Sequence, residues 1–256
     1  MRDLSVTPIQ CELAWEEPEE NRRLIGDLIA ALDTPGDLLV LPEMFTTGFS
    51  MNAVANAEMP GGPTHEWLLA LARERDCAIC GSIAVQADGG VYNRMLFATP
   101  QGLTHYDKRH LFRMAGEHKR YLGGSERVIV NWRDWRINLQ VCYDLRFPVF
   151  SRNREDYDLL VYVANWPQVR RMHWRQLLIA RAIENQACVV GVNRIGADAK
   201  GWEYAGDSLV IAADGEILHD AKNAGGAASV VLDGAALKSY RESFPCALDA
   251  DSFQLD

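Results

Sequence analysis

Hydrophobic positions along the chain switch repeatedly between a two-residue period and a helical one. Residues 4–13 read as a first strand. Leu24, Ile25, Leu28, Ile29 and Leu32 then recur at helical spacing within 21–32, and Pro35-Gly36 closes that helix. Residues 37–41 and 158–164 are short and almost wholly apolar, as strands covered on both faces are. Thr64 is a candidate cap for a helix ending at Asp76, with Trp67, Leu68 and Leu71 inward. Strands over 77–86 and 92–99 flank Ala87-Asp88-Gly89-Gly90, a hairpin signal. Residues 103–107 predict another strand, and 127–132 with 135–142 a further pair. In the latter, Ile137, Leu139 and Val141 alternate with Asn138 and Gln140. Helices are expected over 147–154, 173–186 and 235–244, and strands over 187–194, 207–213, 216–220 and 227–232. Residues 44–63, with Gly48, Gly61 and Gly62, read as a loop over a site, and 108–124 has no clean period. The acidic tail, with Asp249, Asp251 and Asp256, carries no predicted element.

About a dozen strands are too many for one open twisted sheet, which tends to split into two packed sheets. Helices arriving between strands cover the outer faces. The expected architecture is therefore α/β, a four-layer α-β-β-α sandwich of two mixed sheets. No linker or repeat divides the chain, so residues 1–256 are expected to form a single domain. With 48% hydrophobic residues the chain can bury a large core. Its formal net charge of −9 argues against nucleic acid or an anionic membrane as partner, since both call for a basic face. No apolar run approaches the roughly 20 residues of a membrane span. Met1-Arg2-Asp3 leads straight into a mixed apolar-polar strand rather than a secretory leader. The expected location is the cytoplasm, with the six cysteines mostly reduced. Cys77 and Cys80 match a redox or zinc spacing. On a strand, however, they point to opposite faces, and no second pair completes a zinc site.

Three strands deliver a reactive group at their carboxyl ends: Glu43, Lys108 and Cys142. A thiol at a strand-to-helix bend lies beside amides not used by the ladder, which can hold an oxyanion. Pro148 suits the first turn of the helix that follows. Taken singly the signals are weak, because free cysteines are mostly core residues and Glu43 and Lys108 could be solvated turn residues. Together they supply a nucleophile, a base and a cation, the parts of acyl transfer, without histidine.

The blocks Leu-Pro-Glu43-Met-Phe-Thr-Thr-Gly-Phe, Tyr-Asp-Lys108-Arg-His-Leu-Phe and Val-Cys142-Tyr-Asp-Leu-Arg-Phe-Pro resemble the three signatures of the nitrilase, or carbon–nitrogen hydrolase, superfamily. Ala-Asn165-Trp-Pro, Arg-Ala-Ile-Glu184-Asn-Gln and Phe112-Arg-Met-Ala-Gly-Glu117-His extend the resemblance, and the omega-amidase branch is the nearest match. The resemblance implies the α-β-β-α fold, a homodimer or higher homo-oligomer, a small amide substrate, and no metal or organic cofactor. It makes Cys142 the nucleophile, Glu43 the general base and acid, and Lys108 with the backbone N–H of Tyr143 the oxyanion holder. Glu117 becomes a supporting acid. A short 2-oxo acid amide carries a carboxylate, for which Arg113 and Arg146 are candidates, with Trp166 and Phe45 as candidate walls. Two rivals keep a thiol nucleophile: a cysteine–histidine hydrolase using His110 or His118, and the same three-residue mechanism acting on a nitrile, an N-carbamoyl amine or a longer amide. A third makes the protein a non-catalytic binding subunit.

Overall fold

In the computed structural model of the chain, residues 1–254 are described; Asp256 of the acidic tail lies outside them. The strands of the first half are β1 (Leu4–Gln10), β2 (Leu38–Val40), β3 (Ala78–Ala87), β4 (Gly90–Thr99), β5 (Gly102–Asp107), β6 (Ile129–Trp132) and β7 (Trp135–Val141). There follow β8 (Leu159–Ala164), β9 (Cys188–Asn193), β10 (Ile195–Ala197), β11 (Glu203–Ala205), β12 (Leu209–Ile211), β13 (Ile217–Asp220), β14 (Gly226–Ala227) and β15 (Val230–Leu232). The helices are α1 (Pro18–Ala30), α2 (Ala53–Asn56), α3 (Pro63–Arg75), α4 (Pro148–Ser151), α5 (Arg171–Asn185) and α6 (Gly234–Ser243).

Two mixed sheets form. One runs β14-β1-β2-β3-β4-β5, with β15 also on β1; the other runs β13-β12-β9-β8-β7-β6. Each centres on a parallel trio, β1-β2-β3 and β7-β8-β9, extended by antiparallel strands. Strand alternation divides the apolar residues into layers. Leu38, Val40, Met95 and Phe97 of one sheet meet Ile137, Leu139, Val141, Val161 and Val190 of the other in the central core. The intervening residues Leu39, Ile79 and Leu96 face outward onto Ile25, Ile29 and Leu68 of α1 and α3. Leu160, Tyr162 and Val189 face outward onto Trp174, Leu178 and Ala182 of α5. The order is therefore α-β-β-α, as the sequence predicts.

Several local expectations change. Thr64 does not cap α3; Gly62 is the cap residue, Pro63 opens the helix, and Glu58 Oε2 accepts the Thr64 N–H at 2.8 Å. Within 44–63, expected as a loop, residues 44–48 are buried and α2 lies inside the segment. The pair β10–β11 was not predicted, and the expected strand 227–232 is two short pieces, β14 and β15. The β3–β4 hairpin turns through Asp88 (φ 49°) and Gly89 (φ 82°), the two left-handed residues of a type I′ turn. Cys77 and Cys80 are buried in different layers, on opposite faces of the same sheet.

Candidate active site

Beyond the end of β2 the chain stays against β3. Leu41 N–H donates to Cys80 O at 2.7 Å, Met44 N–H to Ser82 Oγ at 3.0 Å, and Phe45 N–H to Ser82 O at 3.1 Å. Met44 takes the left-handed conformation (φ 46°), turning the chain just past Glu43. Cys142, at the end of β7, has the same conformation (φ 46°) and opens a 3-10 turn over Cys142–Arg146. Such a conformation in a residue with a side chain costs on the order of 1–3 kcal/mol and collects at functional sites. The turn is fixed by fully buried Asp144. Its carboxylate accepts the Val141 N–H at 2.9 Å, Tyr106 Oη at 2.7 Å and the His110 N–H at 3.0 Å. This network ties the Cys142 turn to the segment that carries Lys108.

Glu43, Lys108 and Glu117 are all fully buried and meet at the seam between the sheets. Lys108 Nζ donates to Glu43 Oε1 at 2.8 Å and to both Glu117 oxygens at 3.1 and 3.0 Å. Glu43 Oε2 accepts the Asn165 N–H at 2.8 Å, and the Asn165 side-chain amide donates to the Glu43 carbonyl. The Cys142 thiol lies close enough to the Glu43 carboxylate for the charge to act on it. Burial pushes that thiol well above its ordinary range, and the Glu43 charge adds to the effect while Lys108 opposes it. Cys142 therefore rests as a thiol. Burial works against the Lys108 charge, but Glu117 and Glu43 outweigh it and hold the ammonium above the ordinary lysine range. Burial raises Glu117 above an ordinary glutamate, against the pull of Lys108.

Cys142 opens onto a cavity of about 170 Å³ lined by Phe49, Phe112, Tyr143, Trp166, Trp202 and Tyr204 among others. Arg146, Arg170 and Lys200 bring positive charge to it and Asp198 brings a carboxylate. That carboxylate is engaged, accepting Tyr204 Oη at 2.9 Å and the N–H groups of Lys200 and Trp202. The Arg146 guanidinium lies 4.9 Å over the Trp166 ring, and that of Arg170 5.5 Å over Phe112. Among the described residues neither arginine pairs with an Asp or Glu; Arg146 meets His173 Nδ1 at 2.9 Å, and both arginines stand at the cavity wall.

The sequence-derived site residues thus divide. Glu43, Lys108, Cys142, Glu117 and Tyr143 come together, and Trp166 and Arg146 line the same cavity. Arg113 does not; it is exposed outside the lining. Phe45 does not either, because its ring turns into the outer core, 6.1 Å from that of Trp67. His110 is held by Asp144, with Nδ1 at 2.7 Å, and stacks on Phe147 at 3.9 Å; neither it nor His118 is part of the cavity lining. Sequence reasoning missed Asn93, Asn165 as a partner of Glu43, and Arg170. Asn93 shares strand parity with inward-facing Met95 and Phe97, a signal of a buried polar group.

Residues 5–242 match the family model described as carbon-nitrogen hydrolase. The chain is 50% identical to the Omega-amidase YafV of Yersinia enterocolitica, covering all of both proteins. It is 33% identical to the 2-oxoglutaramate amidase of Bacillus subtilis, over 94% of this chain and 95% of that protein. The crystal structure of XC1258 from Xanthomonas campestris, a CN-hydrolase superfamily protein with an arsenic adduct in the active site, superposes with TM-score 0.98 at 46% identity and full coverage of both chains.

Proposed function

This chain belongs to the carbon–nitrogen hydrolase family and is an amidohydrolase, and from that premise we propose that it hydrolyses the terminal amide of a short 2-oxo dicarboxylic acid monoamide through a Cys142 thioester. The observation that carries the chemistry is the convergence of Glu43, Lys108 and Cys142, a base and a cation beside a protonated thiol. Glu43 takes the thiol proton as sulfur attacks the amide carbon. Lys108 and the Tyr143 N–H hold the resulting oxyanion, since the first amides of a helical turn have no acceptor within it. Lys108 frees a hydrogen for this by loosening its two-oxygen grip on Glu117. Collapse breaks the C–N bond, and Glu43 returns the proton to departing ammonia. A water then gives its proton to Glu43, attacks the thioester and releases the 2-oxo acid, and the thiol is restored.

The substrate assignment draws on the omega-amidase and 2-oxoglutaramate amidase relatives and on the cavity. Arg146 and Arg170, each resting on an aromatic face and neither paired with a carboxylate among the described residues, are suited to the carboxylate end. The reading includes a homodimer in the cytoplasm. Exposed Val149, Met172 and Ile183 on α4 and α5 favour the first, and six unbridged cysteines the second. Among the described residues no helix is long and apolar enough to cross a membrane. Ammonia release from a 2-oxo acid monoamide and from the aliphatic amide of equal length tests the assignment. The expected preference in kcat/KM is roughly 100-fold, collapsing in Arg146→Leu, as the loss of a charge-assisted contact demands. Equal turnover of the two amides overturns it.

A further inference from the structure

Asn93 lies in β4 and is fully buried. One hydrogen of its amide goes to Glu43 Oε1 at 2.8 Å and the other to Glu117 Oε1 at 3.2 Å. The same two oxygens are held by Lys108 Nζ, at 2.8 and 3.1 Å. Glu43 Oε1, Lys108 Nζ, Glu117 Oε1 and Asn93 Nδ2 thus close a ring in which anionic oxygens alternate with nitrogen donors. The Asn93 carbonyl also accepts the backbone N–H of Lys108 at 3.0 Å, fixing the segment that carries the ammonium. Asn93 Oδ1, by contrast, is buried with no hydrogen-bond partner among the described residues. An unpaired buried acceptor costs on the order of 1–3 kcal/mol, a penalty that an apolar side chain here, like neighbouring Met95, would not carry.

Building on the assignment of Glu43 as general base, we propose that Asn93 is a positioning residue whose amide bridges Glu43 and Glu117, keeping both carboxylates ionised beside one ammonium so that Glu43 can receive the thiol proton. Two carboxylates in a dry site titrate as a pair, and one of them resists ionisation. Lys108 brings a single positive charge against two negative ones. The other titratable groups near Glu43 are Cys142, Tyr121 and Tyr204, all pushed by burial above their ordinary ranges, so none adds a charge near neutral pH. The two N–H bonds from Asn93 are the uncharged complement to Lys108. Without them the pair of carboxylates takes up a proton, and a protonated Glu43 cannot act as base.

The test is the pH profile of kcat/KM for amide hydrolysis, from about pH 5 to about pH 10, in the wild type, Asn93→Ala, Asn93→Asp and Glu43→Gln. In Asn93→Ala the acid limb is expected to move up by about one pH unit or more, with KM within about two-fold of wild type. The loss of kcat/KM is then about ten-fold or more on the acid side and largely recovered on the alkaline side. A merely structural role lowers activity equally at every pH. Asn93→Asp keeps the side-chain shape and places a third carboxylate in the ring, so the same upward movement is expected should the alanine variant fail to fold. An acid limb superimposable on that of wild type, in whichever variant unfolds at the wild-type temperature, overturns the proposal. Glu43→Gln separates the two claims. If it turns over at near the wild-type rate, the general-base assignment fails; if it is inactive while the Asn93 limb stays put, only the bridge fails.

Discussion

At the scale of the single residue, Cys142 sits where its own ionisation is opposed, first by burial and then by the charge of Glu43. Replacing that carboxylate with an amide removes the second obstacle and leaves Lys108 pulling the other way. Glu43→Gln is therefore expected to have opposite effects on two measurements. Ammonia release falls by about 10²–10⁴, the worth of a general base, while iodoacetamide labels Cys142 faster near neutral pH than in wild type. Slower labelling, or turnover that survives, would count against the thiol–carboxylate pair. A cysteine–histidine hydrolase predicts loss in His110→Ala instead; here His110 braces Asp144, and the cavity lining lacks it. Glu43, Lys108 and Cys142 were legible in the sequence because each stands just past a strand within a long motif. Arg170 was not, since beside Arg171 it reads as a solvated charge. Asn93 was not, since a lone polar residue in a strand reads as outward-facing until parity is checked against Met95 and Phe97.

At the scale of the element, the segment 41–45 depends on how closely β3 lets it approach. A Cβ on Gly81 would lie 2.8 Å from both Leu41 Cβ and Phe45 Cδ1, on either side of Glu43. Gly81→Ala is expected to destabilise the protein by about 1–3 kcal/mol, as overpacking does, and to lower kcat as Glu43 shifts. Chemical denaturation read beside turnover checks both, and wild-type values would show that the segment yields without disturbing the base. Long strands and helices were legible from period alone. Those that were not have physical reasons. β10 and β11 have three residues each, too few to display alternation. The start of α3 is supported by a carboxylate from Glu58, outside the helix, which no local cap rule reveals.

At the scale of the whole molecule, the two-layer core was predictable because so many strands cannot lie in one sheet, whereas the lateral ties between distant segments were not. Asp158 is one such tie. Its carboxylate takes Arg136 of β7 at 2.8 Å and Arg241 of α6 at 2.7 Å. Burial opposes its charge, but hydrogen bonds from both arginines prevail and hold it below the ordinary aspartate value. A lowered value in the folded state means stability that is present above about pH 4 and lost as pH falls through the folded value. Asp158→Asn is expected to cost on the order of 1–3 kcal/mol near neutral pH, with the gap from wild type closing in acid. Thermal unfolding across that range measures it, and a gap independent of pH would remove the charge from the account.

The first sheet is completed by strands from the far end of the chain, β14 and β15 on β1. A polypeptide halted short of β14 would already carry Glu43, Lys108 and Cys142, yet the outer edge of β1 would have no antiparallel neighbour, so the strand that heads the parallel trio waits for residues more than two hundred positions later to be paired on both sides.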